Sequence, residues 1–315
     1  MTVLPQLEPV LERIAEARGR PVPAASVAER RAATHAQMGM RARMAEPAPD
    51  ADQSDHRVPV DGGEITVRIS TPPGAGRPLP VHVFVHGGGW WLGTPELSDG
   101  VCARVAVNVG CAVVSVDHRL APEHPFPVPA EDTYAALCWT AEHADDLGFD
   151  AARISIGGVS SGGNLAAAAA LMARDRGGPA LVAQVLDVMA ADLTLGDDPV
   201  EELPGGYPLG RDDLAEYLGF YTRPEERTLP YASPGLTPDL GGLPPTRINT
   251  AEYDLLRDGA ERYGARLRDA GVPVTVTRWA GHIHGSHEMT ALIPSSRDWH
   301  ERNEEFLRER LGTRH

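Results

Sequence analysis

Short apolar runs alternate with helical stretches through the middle of the chain. Val58-Pro59-Val60 and residues 65–69 alternate apolar and polar positions around Asp61-Gly62-Gly63, the pattern of a β-hairpin. Residues 81–85, 112–116 and 154–156 are β-rich runs that end at turn residues, and residues 181–188, 246–250 and 274–277 complete the set of strands. Helical spacing fills the intervals at 99–108, 130–144, 163–174 and 259–270. Strand and helix in repetition predict the α/β class, with a mostly parallel sheet covered on both faces. The leading hairpin adds antiparallel strands at one edge.

The flanks follow another pattern. Val3, Leu4, Leu7, Val10, Leu11 and Ile14 share one helical face, interrupted by Glu8, Glu12 and Glu16, so no signal-peptide core forms. Pro21 and Pro23 split this helix from a second one that carries Met38, Met40 and Met44, thioethers that suit packing or an adaptable lid. Residues 46–55, rich in Pro and Asp, read as a linker. Residues 192–233 break the alternation with Pro199, Pro204, Pro208, Pro224 and Pro230 and an apolar helical piece at 214–221. The organisation expected is N-terminal cap helices in 1–50, a catalytic domain in 51–191 and 234–315, and a cap insertion in 192–233.

Composition narrows the class of partner. The chain has 315 residues, 42% of them hydrophobic and 23% charged, enough for a sizeable core and too apolar for disorder. A formal net charge of −15 repels nucleic acid and anionic lipid. No run approaches the ~20 apolar residues of a membrane span. The three cysteines, Cys102, Cys111 and Cys138, form no C-x-x-C pair and suit buried thiols in a reducing compartment. A soluble, cytoplasmic protein is expected.

Candidate chemistry centres on Gly158-Val159-Ser160-Ser161-Gly162, a G-x-S-x-G match between the strand at 154–156 and the helix at 163–174. Strand, tight turn and helix are the setting of a nucleophile elbow. The turn strains the serine backbone and crowds the flanking positions, which glycine tolerates. His86-Gly87-Gly88-Gly89-Trp90 ends another strand and leaves backbone N–H groups free to approach an oxyanion, with the N–H of Ser161 as the other half of the hole. Asp254 follows the strand at 246–250 and His284 follows the strand at 274–277. The chain order serine, acid, histidine suits a triad. In it His284 takes the Ser160 proton and Asp254 fixes the imidazole tautomer. His282, His284 and His287 lack a metal-binding spacing, so no metal or cofactor is expected, and His282 and His287 read as loop or pocket-rim residues.

These residues together resemble the hormone-sensitive lipase family of esterases, over about 58–311. The resemblance rests on His86 to Trp90, the run Asp117 to Pro127, Gly158 to Asn164, Ala251 to Asp254, Pro230 to Pro234 and Ile283 to Gly285. It implies an α/β-hydrolase fold with an eight-stranded, mostly parallel sheet flanked by helices, and a helical cap. It also implies the triad Ser160, Asp254 and His284, an oxyanion hole from Gly88, Gly89 and Ser161, dimerisation in many members, and activity on short acyl esters. The chain departs from the family pattern at His118, Val159, Ser161, Leu255, Ser286 and the strand end Asp187-Val188-Met189. Val159, Asp187 and Ser286 are therefore candidate pocket residues, and Trp90 is a further one. Asp187, a carboxylate in a central strand, either binds a polar substrate group, braces the elbow, or sits at an exposed sheet end. The activity expected is that of a serine carboxylesterase on a small-molecule ester. Amidase, deacetylase or lactonase action on a specialised metabolite, or a silent small-molecule-binding relative, are the alternatives.

Overall fold

The structure, a computed structural model, describes residues 2–18, 26–42, 44–194 and 209–313. One sheet holds β1 (Asp52–Val60), β2 (Gly63–Thr71), β3 (Leu79–Val85), β4 (Ala112–Asp117), β5 (Phe149–Val159), β6 (Leu181–Asp187), β7 (Thr246–Tyr253) and β8 (Val274–Ile283). Their order is β1-β2-β4-β3-β5-β6-β7-β8. β1 pairs antiparallel with β2, and β2 with β4; the remaining pairs are parallel. The hairpin lies where expected, with Val58 opposite Ile65. The linker is shorter than expected, because β1 already begins at Asp52 opposite Thr71. Its first residues form an edge strand with exposed side chains, so no apolar alternation announces them.

Period-two alternation in β3 divides the core. Val81, Val83 and Val85 join the larger apolar cluster, with α4 (Val128–Glu142), α6 (Ser161–Arg176) and α8 (Arg257–Asp269). Phe84 points to the other face and joins Cys102, Val105 and Val109 of α3 (Pro95–Val109) and Leu307 and Leu311 of α9 (Pro294–Leu311). A short α5 (Ala144–Leu147) leads into β5. α9 is an addition to the helices read from the sequence. Pro294 starts it, and Trp299, Asn303, Leu307 and Leu311 form its inward row.

Three more helices gather over the loops at the strand ends. These are α1 (Glu8–Arg18), α2 (Val27–Ala42) and α7 (Arg211–Tyr221). Leu7, just before α1, is buried among Tyr253, Ile283, Met289 and Ile293, and Met44 packs against the same group. Arg30 of α2 pairs with Glu216 of α7 and lies over the Trp91 ring. Arg31 donates to the carbonyls of Trp91 and Ala121. The side chains of Met38 and Met40, and residues 195–208 of the expected insertion, lie outside the described residues.

Candidate active site

Ser160 is the first residue beyond β5 and the last before α6. Its backbone has φ 57° and ψ −118°, a strained conformation for a residue with a Cβ. The turn closes only because its neighbours lack side chains. A Cβ on Gly158 would lie 2.5 Å from the Gly162 carbonyl, and one on Gly162 would strike the carbonyls of Val85 and His86. Two bonds pin the elbow: Ser160 N–H donates to Asp187 O at 2.8 Å, and Asn164 N–H donates to Ser160 O at 3.1 Å.

The sheet register brings the other two residues together. Tyr253 and Ile283 are paired across β7 and β8, and Asp254 and His284 are the next residues along each strand. His284 Nδ1 lies 2.7 Å from Asp254 Oδ2, and Nε2 lies 3.0 Å from Ser160 Oγ. Asp254 is buried, with its other oxygen accepting the Leu256 N–H at 2.9 Å. A carboxylate held there favours the tautomer with the proton on Nδ1, which leaves Nε2 free to accept from Ser160 Oγ.

The loop after β3 lies against the elbow: a Cβ on Gly87 would stand 3.5 Å from Ser160 Cβ. Gly88 (φ 134°) and Gly89 (φ 59°) line the cavity beside Ser160. Gly89 is covered by Tyr217, whose ring a Cβ there would approach to 2.7 Å. Trp90 follows at φ 63° and is held by its surroundings. Its indole donates to Asn164 Oδ1 at 3.2 Å and stacks on Tyr221 at 4.6 Å. Asn164 uses its amide on the carbonyls of Ala190 and Ala232, so the helix behind Ser160 also anchors the glycine loop. Ser161 heads α6, where a first-turn N–H has no helical carbonyl to bond. Behind the loop, His86 stacks on His118 at 4.6 Å, and burial pushes the His118 ring down to about 3.

A cavity of about 620 Å³ opens at this point. Ser160, His284, Gly88, Gly89, Trp90, Val159 and Asp187 all line it, together with Tyr217 and Leu214 of α7. Ser286 does not. It is fully buried; its Oγ donates to Ile283 O at 2.8 Å, accepts from Ile283 N–H at 3.2 Å and bonds His282 Nδ1 at 2.8 Å. It braces the loop that carries His284, a role its short distance in sequence makes natural. His282 and His287 are both buried: the first lies in β8 and bridges Ser286 and Ser295, and the second, in the loop after β8, lines the cavity. Burial holds the His282 ring down to about 4. Among the described residues no group of three or more His, Cys, Asp or Glu side chains is arranged for a metal ion.

Asp187 lies inside the sheet rather than at an exposed end. It is 7% exposed and accepts from Asn249 Nδ2 (2.7 Å), Trp299 Nε1 (2.9 Å) and Asn303 Nδ2 (2.9 Å). Burial raises its pKa, while the N–H donors pull the other way. His300 and Asn303, also at the cavity wall, were not candidates from the sequence. The signal for Asn303 was the helical spacing of Trp299, Asn303 and Leu307 after Pro294; His300 stands beside that row.

Known proteins place the chain in a family. A family model described as alpha/beta hydrolase fold matches residues 82–288. Carboxylesterase NlhH of Mycobacterium tuberculosis is 39% identical over 261 residues, covering 79% of this chain and 79% of the relative. An arylesterase of Saccharolobus solfataricus is 36% identical over 255 residues, 78% of this chain and 82% of the relative. The solved structure of a hyperthermophilic esterase from Pyrobaculum calidifontis superposes with a TM-score of 0.91 at 37% identity, covering 98% of this chain and 99% of that one. With the match spanning the glycine loop, the elbow and the His284 loop, the chain belongs to the alpha/beta hydrolase fold family, among the hormone-sensitive-lipase-like esterases.

Proposed function

We propose that this protein is a serine carboxylesterase acting on small-molecule esters with short acyl groups, with Ser160, His284 and Asp254 as its triad. The observation that carries the reading is the unbroken hydrogen-bonded series from Ser160 Oγ through His284 to Asp254. Ser160 Oγ attacks the ester carbonyl carbon as its proton passes to His284 Nε2. The imidazolium so formed is stabilised by Asp254. The carbonyl oxygen takes up the negative charge beneath the N–H groups of Gly88, Gly89 and Ser161; one such donor contributes about 3 kcal/mol to the barrier difference. When the tetrahedral intermediate collapses, the C–O bond to the alcohol breaks and His284 protonates the leaving oxygen. Water, deprotonated by His284, then attacks the acyl-enzyme and releases the acid.

Helices α1 and α2 with α7 form the cap in this reading, from residues 1–50 and 192–233, above the catalytic domain of 51–191 and 234–315. The Arg30–Glu216 pair and Tyr217 over Gly89 support that division. Among the described residues no helix is long and apolar enough to cross a membrane. The three thiols are free, which suits the cytoplasm. A homodimer is part of the proposal by family resemblance, and light scattering in solution tests it.

Labelling with a fluorophosphonate probe tests the triad assignment. The expected result is a single modified peptide carrying Ser160, together with turnover of p-nitrophenyl acetate and butyrate. Folded protein that neither reacts with the probe nor cleaves these esters supports a binding role instead.

A further inference from the structure

The cavity continues past Ser160 into the space between the sheet and helices α3 and α9. Phe84, Val159 and Val185 line it from the sheet, Val101 and Val105 from α3, and Leu307 from α9. These walls alone suit an alkyl group. A carboxylate stands among them. Asp187 is paired with Val159, the residue before the nucleophile, so it adjoins Ser160 across the sheet.

The surroundings of Asp187 are built to hold it. Asn249 Oδ1 accepts from Trp279 Nε1 (3.1 Å) and Arg247 Nη2 (3.3 Å), and Asn303 Oδ1 accepts from Arg247 Nε (3.0 Å). Both amides are thereby turned so that their N–H groups face Asp187. Oδ1 accepts two of the three bonds and Oδ2 one. A carboxylate has about four lone-pair sites, so Oδ2 keeps one, and Asp187 lines the cavity.

A second group points to a ligand independently. His287 lines the same cavity and is 1% exposed, yet among the described residues neither ring nitrogen has a hydrogen-bond partner. It stacks at 5.0 Å on Trp299, whose N–H holds Asp187. A buried imidazole without a partner is costly unless something supplies one.

We propose that this chamber is a subsite for a hydroxyl group, and that the enzyme selects small esters carrying a hydroxyl a few atoms from the scissile carbonyl. Asp187 accepts the hydroxyl hydrogen, and the His287 ring is the second partner. A neutral donor suits the site better than an ammonium group. Arg247, buried behind Asn249 and Asn303, and the His300 ring already offset part of the Asp187 charge, so an ammonium group would gain less from it than its desolvation costs. The proposal rests on Ser160 being the nucleophile.

Two matched substrate pairs test it and place the hydroxyl. On the acyl side p-nitrophenyl 3-hydroxybutyrate is compared with p-nitrophenyl butyrate. On the alcohol side 3-hydroxypropyl acetate is compared with propyl acetate. With wild-type protein, kcat/KM for the hydroxylated member of at least one pair is expected to exceed that of its partner tenfold or more, and that pair names the side. A smaller preference in both pairs, with all esters still cleaved, overturns the subsite and leaves the esterase reading intact. Failure to cleave any ester, with no fluorophosphonate label on Ser160, overturns the esterase reading itself. In Asp187→Asn and His287→Phe, checked for folding by circular dichroism, the ratio is expected to fall to about one. An unchanged ratio in both folded variants also overturns the assignment. The wild-type pairs decide the matter without any variant.

Discussion

The backbone N–H of Ser160 donates to the carbonyl oxygen of Asp187 at 2.8 Å. The strained serine is therefore held by the neighbouring strand as well as by its own turn. The same residue that pins the elbow turns its carboxylate to the other face of the sheet. Elbow and chamber thus share one residue of β6, and any shift of that strand end moves both.

The elbow tolerates no added volume at Gly162, where a Cβ would meet the carbonyls of Val85 and His86. Backbone cannot give way as a flexible side chain can. Gly162→Ala is expected to destabilise the fold by about 2 kcal/mol or more. It should also lower kcat/KM at least tenfold, because displacement of the proposed nucleophile Ser160 is felt directly in the rate. Urea unfolding and ester hydrolysis on the same preparation check both.

The loop between β4 and α4 depends on a buried ion pair. Asp132 is fully buried and accepts from Arg119 Nε at 2.9 Å, Nη2 at 2.7 Å and the Arg119 backbone N–H at 3.0 Å. Removing the acid leaves a cation and an amide without their acceptor. Asp132→Ala is expected to cost about 3 kcal/mol, near the lower end for buried pairs because water still reaches the 19% exposed Arg119 side chain. Chemical denaturation measures it.

How much of this was legible differs by residue. Ser160, Asp254 and His284 each stand just past a strand that its own residues announce, so position and chain order exposed them. The glycine loop was legible for the same reason. The helix α9 was not, because its inward row mixes Asn303 with Trp299, Leu307 and Leu311 and breaks a simple apolar face. The surroundings of Asp187 were hidden for a different reason. Its partners come from β7 and α9, far apart in sequence, and no local window contains them. From the sequence Ser286 reads as a pocket residue because it departs from the family pattern. Its hydroxyl instead closes a turn onto Ile283.

His82 gives a prediction in pH. It is fully buried beside Ser155, and burial lowers its pKa from 6.5 to about 4. Between these values the unfolded chain binds a proton that the folded chain refuses, so stability falls as pH falls. The contribution is complete above pH 6.5 and is lost as the pH drops through about 4. In His82→Asn this component is absent. The stability difference between wild type and variant is expected to shift by up to about 3 kcal/mol in the variant's favour from pH 7 to pH 4. Urea midpoints at both pH values measure it.

The most direct test of the account is the turnover of p-nitrophenyl butyrate by wild type and Ser160→Ala at equal concentration of folded protein. Loss of the hydroxyl that His284 Nε2 faces at 3.0 Å is expected to lower kcat by about a thousandfold or more. A variant that keeps turnover within about tenfold of wild type would place the chemistry elsewhere and contradict the account.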